Sequence, residues 1–599
     1  MSLPPNEHRS PAEHRKRPHA AFAVAAVVVF AIVVALGFAA IQHGASSSNL
    51  NSSNAESQIM AVGDAMAGAS SADASASCPP YGPPPYTDPY SGEGYAAIDE
   101  TGFVSTTARP LSTFSADVDT ASYANLRRMV REGARPDNVP SGAVRIEEML
   151  NYFDYDYAPP EGDELFGVTA EMADCPWNPD TKLLVMGFAT TPAERAPKAG
   201  SNLVFLIDVS GSMADADKLP LLQSAFATLA ENLDERDRVS VVTYSGEERV
   251  VLEGASGADK RRILRAIESL RAEGSTNGEA GLRTAYDVAE RQFVEGGANR
   301  IVMASDGDLN VGMSSESDLH DFVDERRGRG VYLSVLGFGT GNYQDSKMET
   351  LADHGDGSYH YIDCEAEARR VLDRNLLANF TPLAGDVKLQ AEFNPTQVKG
   401  YRLIGYENRT LADEAFRDDA ADAGEVGAGC AFTVAYEVVP ADSPFDVAEP
   451  QLKYGAGNAD REQEDPATGE GATDASAKDG ADGGAQRGFA AHTVGEEWLT
   501  CSMRYRPVGQ SRAREQALAV DASSLVAAPS ADWRFAAAVI ECGMVLRQSP
   551  HAGTATLQAA LELVDDARDE DRAEFASLLQ TLARRDTEPA AAPYARSRS

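Results

Sequence analysis

The sequence predicts an α/β fold, namely a doubly wound, mostly parallel sheet with a smaller α+β N-terminal region and a β-rich then helical C-terminal region. The first observation is the run LVFLIDVSGSM at Leu203–Met213, whose five leading apolar residues have the pattern of a strand buried on both faces. The second is that similar runs, DRVSVVTYS, NRIVMASDGD and GVYLSVLGFG, alternate with helical periods. Strands that alternate with helices indicate a parallel sheet covered on both sides. The helices are expected at Leu219–Leu233, Lys260–Leu270, Glu279–Phe293 and Ser317–Arg327.

The composition sets the class of protein. A chain of 599 residues is too long for one core and predicts two or three domains. The 53 basic and 92 acidic residues give a formal charge of −39, which argues against nucleic acid as a partner because phosphate backbones are bound by basic surfaces. The six cysteines contain no C-x-x-C pair, so no zinc ribbon or thioredoxin-like site is expected. We expect buried free thiols, and the alternative is that two of the cysteines form one disulfide.

The N-terminal segments predict membrane attachment. Residues 1–19 are a basic tail, and Ala20–Ile41 carries no charged residue over a length that can span the hydrocarbon core. The basic flank places the N-terminus in the cytoplasm and the rest of the chain outside, as a single-pass membrane protein. A cleaved export signal is the alternative and gives the same compartment. Residues 42–109 are rich in Ala, Ser, Asn, Gly and Pro and predict a disordered stalk.

Residues 110–198 predict the small α+β region. FSADVDTASYANLRRMVREG and AVRIEEMLNYFDYDY have helical spacing, and LFGVTAEM and KLLVMGFAT resemble antiparallel strands. Asp117 and Asp119 precede the first of these helices, where acids are typical helix caps, although a cation site is the alternative.

Residues 380–582 predict the C-terminal region. Its expected strands are DVKLQAEF, AFTVAYEVVP and WLTCSMRYRPV, with a disordered acidic insert at 455–489. Three helical segments follow, and residues 583–599 are expected to be a tail.

Three loops of the predicted sheet domain, residues 199–379, carry oxygen ligands. Because the carboxyl ends of parallel strands meet at one edge of a sheet, these loops are expected to converge. Their convergence predicts a divalent-cation site, whereas the alternative, in which the acids only cap helices and Ser210 stabilises a turn, explains each loop separately. The residues are Asp208, Ser210 and Ser212 after the first strand, Ser275 and Thr276 before a helix, and Asp306 and Asp308 after NRIVMAS.

These loops resemble the metal-ion-dependent adhesion site (MIDAS) of a von Willebrand factor type A (vWA) domain. The resemblance implies that Ser210 and Ser212 bind the ion directly, and that Thr276 does so directly or through water. It implies that Asp208 and Asp306 act largely through waters. The implied ion is Mg²⁺, or Mn²⁺ or Ca²⁺, and mostly neutral ligands leave it an open position for a carboxylate of a protein partner. Ser305 stands where many such domains have threonine, a departure expected to be harmless.

Further motifs resemble the bacterial YfbK-like family, in which a von Willebrand-associated N-terminal region and a C-terminal region of unassigned function flank the vWA domain. They are FSADVDTASYANLRRMV, RIEEMLNYFDYDY, CPWNP, SDGDLNVG, LGFGTGNYQD, YRLIGYENR and DDAADAGEVGAG. The chain departs from the family in its acidic insert and in Cys430, where histidine is expected. The resemblance implies a bacterial protein, and the predicted anchor places it at the cell membrane.

Three classes of function follow. The first is a membrane-anchored, extracytoplasmic protein that binds a protein partner through the cation. The second is an assembly or chaperone-like adaptor for a membrane or envelope complex. The third, an enzyme, is not expected, because no nucleophile stands beside a plausible base and His354 and His360 only flank a turn. The motif GFGTGNY lacks the third glycine of a dinucleotide-binding loop, so no nucleotide site is expected.

Overall fold

The computed structural model describes residues 90–191, 199–307, 316–375, 382–449, 497–564 and 568–588. All of them belong to one compact unit, Pro83–Ser599. The N-terminal part of this unit comprises β1 Val104–Ser105, β2 Leu111–Ser115, α1 Ala121–Glu132, α2 Ile146–Asn151, β3 Phe166–Asp174 and β4 Lys182–Thr190.

The central part is the expected α/β sheet. Its elements are β5 Ser201–Asp208, α3 Leu219–Asn232, β6 Arg238–Tyr244, β7 Arg249–Ser256, α4 Lys260–Glu268, α5 Gly278–Arg291, β8 Ala298–Ser305, α6 Glu316–Arg327, β9 Tyr332–Phe338, α7 Asp345–His354, β10 Tyr359–Ile362 and α8 Glu365–Arg369. The strand order is β10-β9-β8-β5-β6-β7. All neighbours are parallel except β6 and β7, so the sheet is mixed, with an antiparallel edge strand that was not predicted.

Strand β5 is buried over its whole length, as its continuous apolar run predicts. Alternate side chains point to opposite faces of a strand. Phe205 packs against Phe226 of α3, with ring centroids 4.5 Å apart, in the core on one face of the sheet. Leu206 belongs to the core on the other face, which includes Tyr286 of α5. Helices therefore cover both faces, and the strand ends are left to form a site.

The C-terminal part completes two antiparallel sheets and a helical layer. Its elements are β11 Pro382–Phe393, β12 Val398–Ile404, β13 Gly424–Gly427, β14 Ala431–Pro440, β15 Leu499–Pro507, β16 Arg514–Val520, α9 Ala531–Arg547, α10 Leu557–Leu563 and α11 Glu570–Thr587. One sheet has the order β1-β12-β14-β4-β3, and the other has the order β13-β11-β15-β16 with β2 paired to β11. The two sheets share one hydrophobic core, and the helices of both terminal parts share another.

The N-terminal region is therefore not a separate core that precedes the α/β domain. Strand β4 pairs with β14 in a register that places Phe188 opposite Phe432, and these two rings stack at 4.8 Å. Each terminal part supplies strands to both sheets.

Several predicted boundaries are corrected. The end of the expected stalk is ordered, since Tyr90 is buried and Glu93 pairs with Arg128 at 2.8 Å. The last helix, α11, continues to Thr587, into the expected tail. The acidic insert and the predicted anchor Ala20–Ile41 lie outside the described residues. Among the helices in the described ranges, none is both long and apolar enough to cross a membrane.

Candidate metal site

Asp208 ends β5 and is completely buried. Its Oδ1 accepts a hydrogen bond from the backbone N–H of Ser210 at 2.8 Å, which turns the chain sharply after the strand. Burial raises the pKa of Asp208 to about 6, and the negative charge of Asp306 adds to the rise. The carboxylate is thus held in a place that disfavours its own charge, a common property of functional sites.

The two serines follow within the same turn. The Ser210 and Ser212 hydroxyl oxygens lie 3.0 Å apart, with Ser210 buried and Ser212 half-buried. The loop that carries Thr276 is bonded to this turn through its backbone. The Gly211 N–H donates to the Gly274 carbonyl at 3.0 Å, and the Glu273 N–H donates to the Val209 carbonyl at 2.7 Å. The half-buried Thr276 lies two residues beyond Gly274.

Asp306 follows the neighbouring strand β8 and is also completely buried. Its Oδ2 lies 3.0 Å from the Nζ of Lys218, an ion pair in which both side chains are buried. Asp208 bonds within its own turn, and α3 begins only after Lys218, so the capping alternative does not account for Asp208.

Ser305, at the end of β8, connects the loop that carries Asp306 to Asp208. Its Oγ accepts a hydrogen bond from the Gly307 N–H at 3.0 Å and donates to Asp208 Oδ2 at 3.4 Å. The buried Tyr244 at the end of β6 lies beside Asp208, whose charge adds to the rise that burial causes in the pKa of Tyr244. Three adjacent strands thus deliver polar groups to one edge.

The structure brings Asp208, Ser210, Ser212 and Asp306 to this edge and holds the loop of Thr276 against it. We call these five residues the strand-end site. Ser275 is exposed beside them, and Asp308 lies outside the described residues. Sequence reasoning missed Lys218, whose only signal was a basic residue at the start of a predicted helix.

The strand-end site fits a hard divalent cation. Every side-chain donor is an oxygen, and three of the five are neutral hydroxyls, a set that suits Mg²⁺ or Mn²⁺ better than a soft metal. Two buried carboxylates face one ammonium, so the site carries an excess negative charge that a cation would offset. Ser210, Ser212 and Thr276 would hold the ion, with Asp208 and Asp306 behind them.

A second acidic cluster lies in the N-terminal part, where carboxylate oxygens of Asp117, Asp119 and Glu148 lie within 4.8 Å of one another. Asp117 accepts from the Asp119 N–H at 2.9 Å, and Asp119 accepts from the Tyr359 N–H at 2.7 Å. The N–H of Ser122 in α1 is instead bonded by Glu148, at 2.8 Å. The expectation that Asp117 and Asp119 cap this helix was wrong.

Two guanidinium groups pair with the carboxylates of this second cluster. Arg409 lies 3.4 Å from Asp119 and 3.8 Å from Asp117. Arg145 contacts Glu148 and lies 2.6 Å from Asp345 and 3.5 Å from Glu349. We call Arg145, Arg409 and the five buried acids that they contact the arginine network; the acids are Asp117, Asp119, Glu148, Asp345 and Glu349. Because guanidinium groups already face the carboxylates, the cluster is a structural ion network that joins all three parts of the chain.

The two histidines that flank the predicted turn, His354 and His360, both contact polar side chains of the fold. His360 is buried in β10 between Thr120, at 2.8 Å from Nδ1, and Ser358, at 3.1 Å from Nε2. Burial lowers its pKa to about 3, so it stays neutral. His354 ends α7 and lies 3.3 Å from Asp324.

Comparison with known proteins covers most of the chain. A family model described as von Willebrand factor matches residues 89–185, and the von Willebrand factor type A domain matches 202–373. The model for the YfbK C-terminal region matches 378–474 and 473–584. Uncharacterized protein YfbK of Escherichia coli is 37% identical over 497 residues, which cover 81% of this chain and 80% of that protein. The chain belongs to the YfbK family.

More distant relatives match this YfbK family member over shorter stretches. Human inter-alpha-trypsin inhibitor heavy chain H3 is 29% identical over 180 residues, 28% of this chain and 20% of that protein. Uncharacterized protein sll0103 of Synechocystis is 31% identical over 168 residues, 28% of this chain and 39% of that protein. The solved structure of a von Willebrand factor type A protein from Catenulispora acidiphila covers 72% of this chain and 91% of that chain, at 14% identity and a TM-score of 0.38.

Proposed function

We propose that the protein is a membrane-anchored, extracytoplasmic binding protein that captures a protein partner through a divalent cation in its vWA domain. The observation that carries the proposal is the meeting of Asp208, Ser210, Ser212 and Asp306 at one sheet edge, with two carboxylates buried and hydroxyls beside them. Each acid separately has a local partner, but their convergence on one edge favours a ligand site.

The residues have distinct parts in this binding. Asp208 and Asp306 supply the negative charge, and Ser210, Ser212 and Thr276 supply neutral oxygens. A divalent cation bound there would offer an open coordination position to a carboxylate oxygen of the partner. Because the direct ligands are mostly neutral hydroxyls, the bound ion keeps positive charge at its open position, which favours an anionic group over a cationic one.

Isothermal titration of Mg²⁺ and Mn²⁺ into the full-length protein tests the cation site. We expect one binding event that Asp208→Ala abolishes. Asp234→Ala is the matched control, because Asp234 is partly exposed in the same domain and forms an ion pair with its neighbour Arg236. Equal binding by the wild-type protein and Asp208→Ala would contradict the proposal.

The location is proposed from the apolar segment Ala20–Ile41 and its basic flank. A tag at the C-terminus, probed with protease on intact cells, is expected to be cleaved. A protected tag would place the domain in the cytoplasm and favour the adaptor function instead.

Capture of the partner on intact cells tests the last part. Cross-linking and pull-down are expected to recover a protein that is lost in chelator and lost with Asp208→Ala. Recovery that is unchanged by both treatments would assign partner binding to another surface.

A further inference from the structure

Lys218 lies beside the strand-end site and is not one of its five residues. Its Nζ is 3.0 Å from Asp306 Oδ2 and 3.4 Å from Asn342 Oδ1, and the residue is 4% exposed. A buried ammonium is costly without a partner, so this position is a built feature of the fold rather than a chance orientation of a surface lysine.

The loop after β9 is shaped around the lysine stem. Gly339 has a φ of +75°, and a β-carbon there would overlap Lys218 Cε. Only glycine therefore allows both this backbone conformation and the passage of the stem. The buried Tyr361 donates its hydroxyl to the Gly339 carbonyl at 2.8 Å and holds the loop in place. The loop GFGTGNY thus packs against the lysine stem through Gly339 and contacts the ammonium through Asn342.

We propose that Lys218 is the internal counter-cation of the strand-end site and that it competes with the divalent cation for Asp306. This inference rests on the proposed cation site. In the metal-free protein the ammonium neutralises Asp306, while Asp208 has no cationic partner among its described contacts. Binding of a dication brings a second positive charge to the same carboxylate, so Lys218 repels it and lowers its affinity.

The test is Mn²⁺ affinity, measured by isothermal titration on full-length wild-type protein, Lys218→Gln and Lys218→Arg. Lys218→Gln keeps a donor for Asp306 and removes the charge, so it is expected to bind Mn²⁺ at least about tenfold more tightly. Lys218→Arg keeps the charge and is expected to show no gain. Lys347→Gln is the matched control, because Lys347 is exposed on α7 of the same domain.

Thermal unfolding in chelator and in Mn²⁺ is the second readout. Lys218→Gln is expected to unfold at a lower temperature than wild type in chelator and to gain more from Mn²⁺, including the case where it folds only with Mn²⁺. Unchanged or weaker Mn²⁺ affinity overturns the competition, and so does a failure to fold in both conditions. If neither wild type nor Lys218→Gln binds Mn²⁺, the proposed cation site itself fails, which is a distinct result.

Discussion

The strand-end site and the arginine network are both buried acidic clusters, yet their partners differ in kind. In the arginine network, Arg145 bridges Glu148 and Asp345, and Arg409 bridges Asp119 and Asp353, so each guanidinium joins carboxylates from different parts of the chain. In the strand-end site, Asp208 is met by a backbone N–H and serine hydroxyls, and a single lysine reaches Asp306. A guanidinium with five fixed donors completes a network, whereas hydroxyls leave oxygen lone pairs available to a cation. The same residue types thus stabilise the fold in one place and form a binding site in the other.

The largest expected effect is in the arginine network. Arg145→Met leaves Glu148 and Asp345 buried without their cation, which is expected to lower the free energy of unfolding by about 3–5 kcal/mol. Urea unfolding measures it, and Mn²⁺ is expected not to restore the loss. Arg283→Met is the control, because its pair with Glu279 is half-exposed and worth less than about 1 kcal/mol. Rescue by Mn²⁺ would mean that the network, too, is a cation site.

At the strand-end site, removal of a buried charge is expected to raise the free energy of unfolding of the metal-free protein rather than to lower it. The pKa of Asp208 is about 6 in the folded protein against 3.8 ordinarily, so the folded state binds a proton that the unfolded state releases between these values. Metal-free stability therefore falls as the pH rises through this window, by at most about 3 kcal/mol. Asp208→Asn removes that fall and is expected to stabilise the metal-free protein at pH 7.

Urea midpoints between pH 4 and pH 8 check this expectation, in chelator and in Mn²⁺. Mn²⁺ is expected to stabilise the wild-type protein above pH 6 and to leave Asp208→Asn unchanged. A wild-type stability that rises with pH in chelator, once Asp208→Asn is subtracted, would show that Asp208 has a cationic partner already.

Glu147 lies beside the arginine network, and its substitution is expected to have a smaller effect on stability, one that Mn²⁺ does not change. It is completely buried, and neither carboxylate oxygen has a hydrogen-bond partner among the described residues. Burial, followed by the negative charge of Glu407, raises its pKa to about 8. The folded state thus binds an extra proton between the ordinary value of 4.5 and about 8, and stability falls as the pH rises across that window.

Glu147→Gln is therefore expected to stabilise the protein at pH 8 by about 1–3 kcal/mol and to change little at pH 4.5. Urea unfolding at the two pH values, in chelator and in Mn²⁺, measures it. A gain that depends on Mn²⁺ would connect Glu147 to the strand-end site and remove the distinction between the two clusters.

The sequence predicted the strand-end site better than the arginine network for a physical reason. Asp208, Ser210 and Ser212 follow a continuous apolar run, so local pattern alone places them at a strand end. The arginine network depends on contacts such as Arg145 with Asp345 and Asp119 with Tyr359, which only the tertiary fold creates. For the same reason the pairing of β4 with β14 was missed, although both strands were predicted.

Two of the strands that were missed, β10 and β7, are short or partly exposed. Strand β10 has four residues, and β7 is half-exposed at the edge of its sheet, so neither has a long apolar run. Lys218 was missed because a basic residue before a helix is ordinary on a protein surface, and only the loop at Gly339 makes it a buried ion pair.

The smallest expected effect concerns Ser305. Its substitution removes hydrogen bonds from the strand-end site and leaves the charges of the site unchanged. Ser305→Ala removes the hydrogen bond to Asp208 Oδ2 and the acceptor for the Gly307 N–H, without changing any charge. One such bond contributes about 1 kcal/mol, so Mn²⁺ affinity is expected to weaken about fivefold. The arginine network is expected to be unaffected. Ser305→Thr keeps the hydroxyl and is expected to bind as wild type does, in agreement with the threonine of many vWA domains. Titration of Mn²⁺ into both variants measures the difference. If Ser305→Ala binds like Ser305→Thr, the orientation of Asp208 comes from Ser210 and the end of β5 alone, and the strand-end site depends on its charges rather than on its hydroxyl support.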